Sequence, residues 1–357
     1  MFEIDDPVHG AVLHRRLGEE TPEGLKVTVR GRAPMGDRVA VNGREARRRG
    51  DGFEAEVVLR ERETEIVAAS PGPSGNREHR IRVLYDRGSR PRYRFSIDDN
   101  SFFLRDIARN GYASLFDCFY PGMLRDLNRE YGARFVLNIY YETEDGFDMT
   151  QFSDRYRGEW TENAGWLKLA FHARANQPDR PYQYAPAEKI IADWDRVDEQ
   201  IVRFAGEEAL SSPTVIHWGM TPRTALKALH DRGIRALSGI FAHRGGAWDI
   251  HYHLDDRRSE YLSRHDALMD FDSGIAFSRI DLICNSTPVE GIVPTLASRA
   301  SDPANAEVMD LFTHEQYFWP FYRNYLPDHA QRLDTAIRWV TERGYAPVFF
   351  HEGFLGV

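Results

Sequence analysis

The sequence predicts a two-domain protein, with an N-terminal antiparallel β-sandwich over 1–90 followed by an α/β barrel of seven or eight units over 91–357. Three observations carry this. The chain has 357 residues, more than one hydrophobic core usually organises. Apolar residues alternate at period two up to Tyr85, then give way after Arg92 to strand-like runs separated by helix-like ones. The later strand-like runs end, one after another, on carboxylates and histidines.

In the first part, Leu25–Val29, Arg38–Val41, Phe53–Leu59, Glu65–Ala68 and His79–Tyr85 alternate apolar with polar. Turn signals separate them at Pro34–Asp37, Asn42-Gly43, Gly50-Asp51-Gly52 and Pro71–Asn76. Short strands at this spacing, with no helical stretch between, predict a small antiparallel sandwich. The basic cluster Arg44–Arg49 is interrupted by Glu45 and Ala46 and precedes a Gly-Asp-Gly turn, which suits a solvated hairpin face.

From residue 93 the expected strands are 93–99, 134–141, 167–173, 214–219, 235–242, 276–285, 307–313 and 346–351. Amphipathic stretches such as Glu188–Ala205, Thr221–Arg232 and His329–Arg343 lie between them. Alternation of this kind implies parallel strands joined by crossover helices. Seven or eight units in about 260 residues match the size of an α/β barrel better than that of an open sheet. The segment 244–274 interrupts the pattern with Gly245-Gly246, a hairpin-like Trp248–His253 and Ser263–Asp266, and is expected to be an insertion over the site.

Composition narrows the function. Apolar residues make up 42% and charged residues 28%, ordinary for a globular protein. A formal charge of -9 disfavours a nucleic-acid partner. No apolar run approaches the roughly 18 residues of a membrane span, and the acidic start Met1–Asp6 lacks the blocks of a signal peptide, so the expected location is cytoplasmic. Cys118 and Cys284 are the two cysteines, each in an apolar context, and read as buried thiols rather than a disulfide or ligand pair. A homo-oligomer is left open.

The polar residues at the strand ends carry the chemistry. Strand one ends on Asp98-Asp99, strand three on His172, strand four on His217, strand five near His243, strand seven on His314-Glu315 and strand eight on His351-Glu352. All fall on the carboxyl face of a barrel, where such folds build their sites. Imidazoles with one carboxylate suit a divalent metal such as zinc. Such an ion lowers the pKa of water toward about 7, and a second carboxylate is then free to take the proton. Aromatic residues gather on the same side, among them Phe119-Tyr120, Tyr140-Tyr141, Trp218, Trp248, Tyr252 and Tyr317-Phe318-Trp319. Flat rings beside polar groups suit sugar faces.

Phe95-Ser96-Ile97-Asp98-Asp99 opening such a barrel, with Trp166–His172, Val215-Ile216-His217 and Thr313–Phe318, resembles the polysaccharide deacetylase (NodB-like) superfamily, on its distorted barrel. The resemblance covers 93–357. It implies Asp98 as catalytic base, Asp99 and His172 as metal ligands, and His314 as general acid, with Glu315 beside it. Asn176 stands where that superfamily has its second histidine, Asn100 where it has a glycine, and His217-Trp218-Gly219 where it has an arginine-containing motif. His217 is therefore the expected third ligand, with His314 or His351 next. Tyr141, Arg174, Trp218, Tyr317, His351 and Glu352 are the expected substrate contacts. The N-terminal stretch Val39–Val57 resembles, more loosely, the immunoglobulin-like modules appended to carbohydrate-active enzymes.

The expected function is a zinc-dependent deacetylase acting on an N- or O-acetylated saccharide. Two alternatives stay open: a glycoside hydrolase or lyase using carboxylates such as Asp98, Glu315 and Glu352, and a noncatalytic sugar-binding protein.

Overall fold

A computed structural model describes residues 1–72 and 75–352 and divides into two compact units. The first holds Met1–Ser89 together with Ala267–Phe271, and the second holds Arg90–Asp266 and the chain from Asp272 onward.

The first unit contains two five-stranded sheets and, among the described residues, no helix. In one, Gly24–Arg32 and Gly52–Leu59 pair antiparallel from Leu25↔Leu59 to Arg32↔Gly52. Leu25, Val27 and Val29 are buried on one strand and Phe53, Ala55, Val57 and Leu59 on the other. The period-two alternation thus sorts one apolar face from one wet face. In the other sheet a long hairpin joins Glu63–Gly72 to Gly75–Tyr85. The turn expected at Pro71–Asn76 falls here, with its residues 73–74 outside the described residues and the strands pairing up to Gly72↔Gly75. Val12–Leu13 adds to this sheet in parallel. The basic cluster sits on a strand edge, where Arg47 pairs with Glu54 at 2.9 Å and Arg48 donates to the carbonyls of Ala33, Pro34 and Gly50.

The second unit is mixed α/β, and the eight α-helices of the described chain all lie in it. Its main sheet contains β1 (Arg92–Asn100), β2 (Phe135–Tyr140), β3 (Leu167–Ala173), β6 (Leu282–Ile283), β7 (Val308–His314) and β8 (Ala346–Pro347). They are parallel, in the order β3-β2-β1-β7-β6, with β8 also on β1. A second parallel pair is β4 (Ala236–Gly239) with β5 (Ile275–Arg279). All nine residues of β1 and all six of β2 are buried, as expected of strands covered on both faces. The helices α1 (Phe102–Asn110), α2 (Phe119–Tyr131), α3 (Ala187–Ala205), α4 (Arg223–Arg232), α5 (Val289–Ser301) and α6 (His329–Glu342) fill the intervals. Along α3 the buried residues Ile190, Trp194, Val197, Ile201 and Phe204 recur at three- and four-residue steps, one apolar stripe facing inward.

Four expected strands differ in the structure. Residues 214–219 form no strand. The chain is extended at Ile216 and then turns at His217–Gly219, with Trp218 at φ +67°, a left-handed conformation outside the range of regular strand pairing. Its backbone is still tied on both sides, by Ser211 N–H to Leu169 O at 2.8 Å and Ser238 N–H to Thr214 O at 2.7 Å. The 346–351 strand stops at Pro347, which offers no N–H to a ladder, and the chain closes a turn from Phe349 O to Glu352 N. The 276–285 run breaks at Ile280–Asp281, and the 235–242 run breaks after Gly239. The 244–274 segment is more structured than a loop. It completes a hairpin of Ala242–Arg244 with Ala247–Asp249, turning on Gly245 and Gly246 at φ +58° and +85°, and adds a helix over Asp256–Leu262. Its residues Ala267–Phe271 belong to the first unit, where Leu268 bridges Ala11.

Candidate metal centre

Side chains of a regular strand alternate between faces, so adjacent Asp98 and Asp99 should point apart. A bulge brings them together. The β1–β2 register runs from Ile97↔Leu137 to Asn100↔Ile139, leaving one extra residue on β1, and Asp99 takes φ +60°. Aspartate is among the few side chains that tolerate this region, and bulges with such strain concentrate at functional sites. A second bulge lies opposite. Ile139 pairs with Phe171 but Tyr140 pairs with Ala173, so His172 is the extra residue at the end of β3. His217 arrives from the turn that follows Ile216.

These three residues meet. His172 Nε2 lies 3.1 Å from Asp99 Oδ1 and 2.9 Å from His217 Nδ1, and His217 Nδ1 lies 3.8 Å from Asp99 Oδ1. All three side chains are buried. The edge of a tetrahedron with bonds of about 2.0–2.1 Å is about 3.3 Å, and the three separations bracket that value. Asp99, His172 and His217 can therefore hold one metal ion.

No protein-family model matches the chain, and no curated protein sequence does so either. The site must be read from its own geometry.

Asp98 stands beside the triad without joining it, its Oδ2 3.8 Å from His172 Nε2 and its Oδ1 accepting from Asn138 Nδ2 at 2.7 Å. Burial pushes its carboxyl up to about 7, assisted by the charges of Asp99 and Asp310 and opposed by His172 and Asn138. Burial also works to raise Asp99, but His314, His172 and His217 outweigh it and hold that carboxyl well below the usual range. Two neighbouring carboxylates thus have separated proton affinities, the pattern that divides a ligand from an acid/base group. Burial and the nearby His172 push His217 down to about 3, which keeps its imidazole neutral as a ligand must be.

The structure gives Tyr140, Asn138 and Asn176 contacts that the sequence did not assign them. Tyr140, fully buried, donates its hydroxyl to Asp99 Oδ1 at 2.5 Å and lies 3.2 Å from His217 Nδ1. The expectation had chosen its neighbour Tyr141, whose ring instead lies under Arg196; the two differ by one step of the pleat. Asn138 ties Asp98 to Thr214 Oγ1. The available signal was a lone polar residue inside the apolar run Phe135–Tyr140. Asn176, in place of a second histidine, puts its Oδ1 3.3 Å from the Tyr140 hydroxyl.

The remaining expected residues divide. His314 ends β7 in register with Asp98, and burial lowers its pKa against the opposing charge of Asp99. Tyr317 stacks near it, at 6.0 Å between centroids. Trp218 is 37% exposed, 6.2 Å from the His217 ring, with the Arg180 guanidinium over its face. Glu315 faces elsewhere. Its Oε2 accepts from Ser101 N at 2.7 Å and Phe102 N at 2.9 Å, and its Oε1 accepts from Phe103 N at 2.6 Å and Trp319 Nε1 at 3.0 Å. It caps α1, satisfying donors that α1 itself leaves open. Burial raises its carboxyl to about 7 despite these donors. Arg174 pairs with Glu142 at 3.1 Å. His243 meets Trp248 edge-on in the hairpin, 5.1 Å between centroids. His351 and Glu352 are exposed and lie beside Ser211 and Arg134, next to the beginnings of β2 and β3 rather than their ends.

A cleft of about 470 Å³ opens against Tyr140 and Asn176. Phe102, Phe321 and Tyr322 give it an aromatic wall, and Arg105, Glu142, Asp145 and Gln316 give it polar groups. No helix among the described residues is long and apolar enough to cross a membrane.

Proposed function

We propose that the second unit is a zinc-dependent hydrolase that removes an acyl group, most simply acetyl, from an amide or ester of a saccharide. The observation that carries this reading is the pairing of a buried Asp-His-His triad with a free carboxyl, Asp98, whose proton affinity burial sets near neutrality. We read the parallel strands as a barrel. Arg94 on β1 and Asp310 on β7 form a buried pair at 2.9 Å, and Ser238 on β4 and Ser278 on β5 reach the same carboxylate, so four strands aim at one interior point.

A zinc ion in the triad would polarise the acyl carbonyl and acidify the attacking water. Asp98 takes the proton of that water, since a base with pKa near the working pH is the most effective. Tyr140, at the junction of triad and cleft, keeps Asp99 in place through its hydroxyl. His314, the register partner of Asp98 on β7, returns a proton to the departing nitrogen or oxygen. The aromatic wall of the cleft offers apolar area to a sugar face.

Glycosidic cleavage is the weaker reading. It needs two carboxyl groups working about 5–9.5 Å apart, whereas Glu315 is spent on the α1 cap and Glu352 lies outside the cluster. The test is acetate release from N- and O-acetylated oligosaccharides with zinc-loaded protein. Release that falls at least 100-fold on chelation and in Asp98→Asn supports the reading. Cleavage of glycosidic bonds without acetate would replace it.

A further inference from the structure

His314 carries a positioning partner that no part of this reading has used. Its Nδ1 lies 3.0 Å from Asn285 Oδ1. The Thr313 hydroxyl donates to the same oxygen at 3.2 Å, and the Thr313 oxygen lies 2.9 Å from His329 Nε2. At the other end of the Asn285 amide, Nδ2 donates to Ser286 Oγ at 3.4 Å. An amide oxygen has no proton to give. The hydrogen between Asn285 and His314 therefore belongs to the ring, and the hydrogen between Thr313 and His329 belongs to His329 once the threonine has donated to Asn285.

We propose that Asn285 is a positioning residue that fixes His314 as its Nδ1–H tautomer, leaving Nε2 as a bare lone pair. A hydrogen bond to one ring nitrogen commonly sets which of the two carries the proton. The partner here is a neutral amide. A carboxylate in its place would favour the imidazolium, whereas the amide accepts one N–H without adding charge. Groups that face the ring are Asp99, His172, Tyr317 and Phe312, with His329 behind Thr313.

This inference deepens the hydrolase reading, on which its catalytic consequence rests. In the resting protein His314 cannot donate from Nε2. Its Nε2 lone pair must first accept a proton, the one that Asp98 has taken from the attacking water, giving an imidazolium with an N–H on both nitrogens. That N–H bond then breaks toward the leaving nitrogen or oxygen, returning the ring to the Nδ1–H form. The Nδ1 proton, held by Asn285, does not move.

The tautomer can be read without substrate or metal, so its outcome is independent of whether the protein is a hydrolase. Nitrogen–proton correlation spectra of 15N-histidine-labelled protein, with the His314 signals assigned by their loss in His314→Gln, should show a protonated Nδ1 and an unprotonated Nε2 above neutral pH. Asn285→Leu removes the acceptor at similar volume and should lose that pattern, while Asn285→Asp keeps an acceptor and should retain a protonated Nδ1. A resting His314 protonated only at Nε2 would overturn the proposal even if Asn285→Leu fails to fold. So would a folded Asn285→Leu whose His314 spectrum matches the parent.

Discussion

Burial places the Asp98 carboxyl near 7, about 3 units above an ordinary aspartate. In the metal-free protein this has a stability consequence with a definite sign. The folded state holds the proton more tightly than the unfolded chain, so stability falls as pH rises from about 4 through about 7. Asn is isosteric and carries no charge. Asp98→Asn should therefore raise the melting temperature of the metal-free protein more at pH 8 than at pH 5, with a differential of about 2–3 kcal/mol between those two pH values. An equal effect at both pH values would show that Asp98 is not held protonated. At His172 the expected loss is of metal, because its Nε2 lies within 3.1 Å of both other ligand atoms. His172→Ala should abolish stoichiometric zinc in the purified protein, read by elemental analysis, while Asp98→Asn should leave zinc bound and cost about 10²- to 10⁴-fold in turnover.

At the scale of elements, two buried polar assemblies hold the strands in place. Glu315 closes the N-terminus of α1 with three backbone acceptor contacts. Glu315→Ala leaves buried N–H groups without partners and should cost about 2–3 kcal/mol, measured by urea unfolding. Glu315→Gln, which keeps an acceptor oxygen, should cost less. The Arg94–Asp310 pair joins β1 to β7, with Ser238 and Ser278 completing its shell. Removing one member strands a buried charge, so Asp310→Ala should destabilise by about 3–5 kcal/mol. A loss below 1 kcal/mol would mean that water reaches this point. The sequence showed Arg94 and Asp310 only as charged residues in apolar strands, since their partnership spans 216 positions.

For the whole molecule, the division into units does not follow the chain. The first unit includes Ala267–Phe271, where Met269 N–H reaches Gly10 O at 2.7 Å and the Arg82 guanidinium lies over the Phe271 ring at 4.1 Å. A 1–89 fragment made alone lacks this segment. It should unfold at a lower temperature than the same unit within the full chain, as read by calorimetry, and equal melting would show that the segment adds nothing.

What the sequence determined alone is what repeats at short range. Period-two alternation placed Gly52–Leu59 and Gly24–Arg32, and apolar runs placed β2 and β3 to within a residue. The Asp98-Asp99 pair and the histidines after apolar runs were visible as candidates, because a charge ending a buried strand conflicts with its surroundings. What only the tertiary structure decided is direction. A bulge at Asp99 and another at His172 turn side chains that strict alternation would separate, and one pleat step replaces Tyr141 by Tyr140. Glu315, beside His314 in sequence, turns to a helix terminus more than two hundred positions away. Bulges, caps and buried pairs depend on which strands become neighbours, and that is settled by packing across the whole core rather than by any local run of residues.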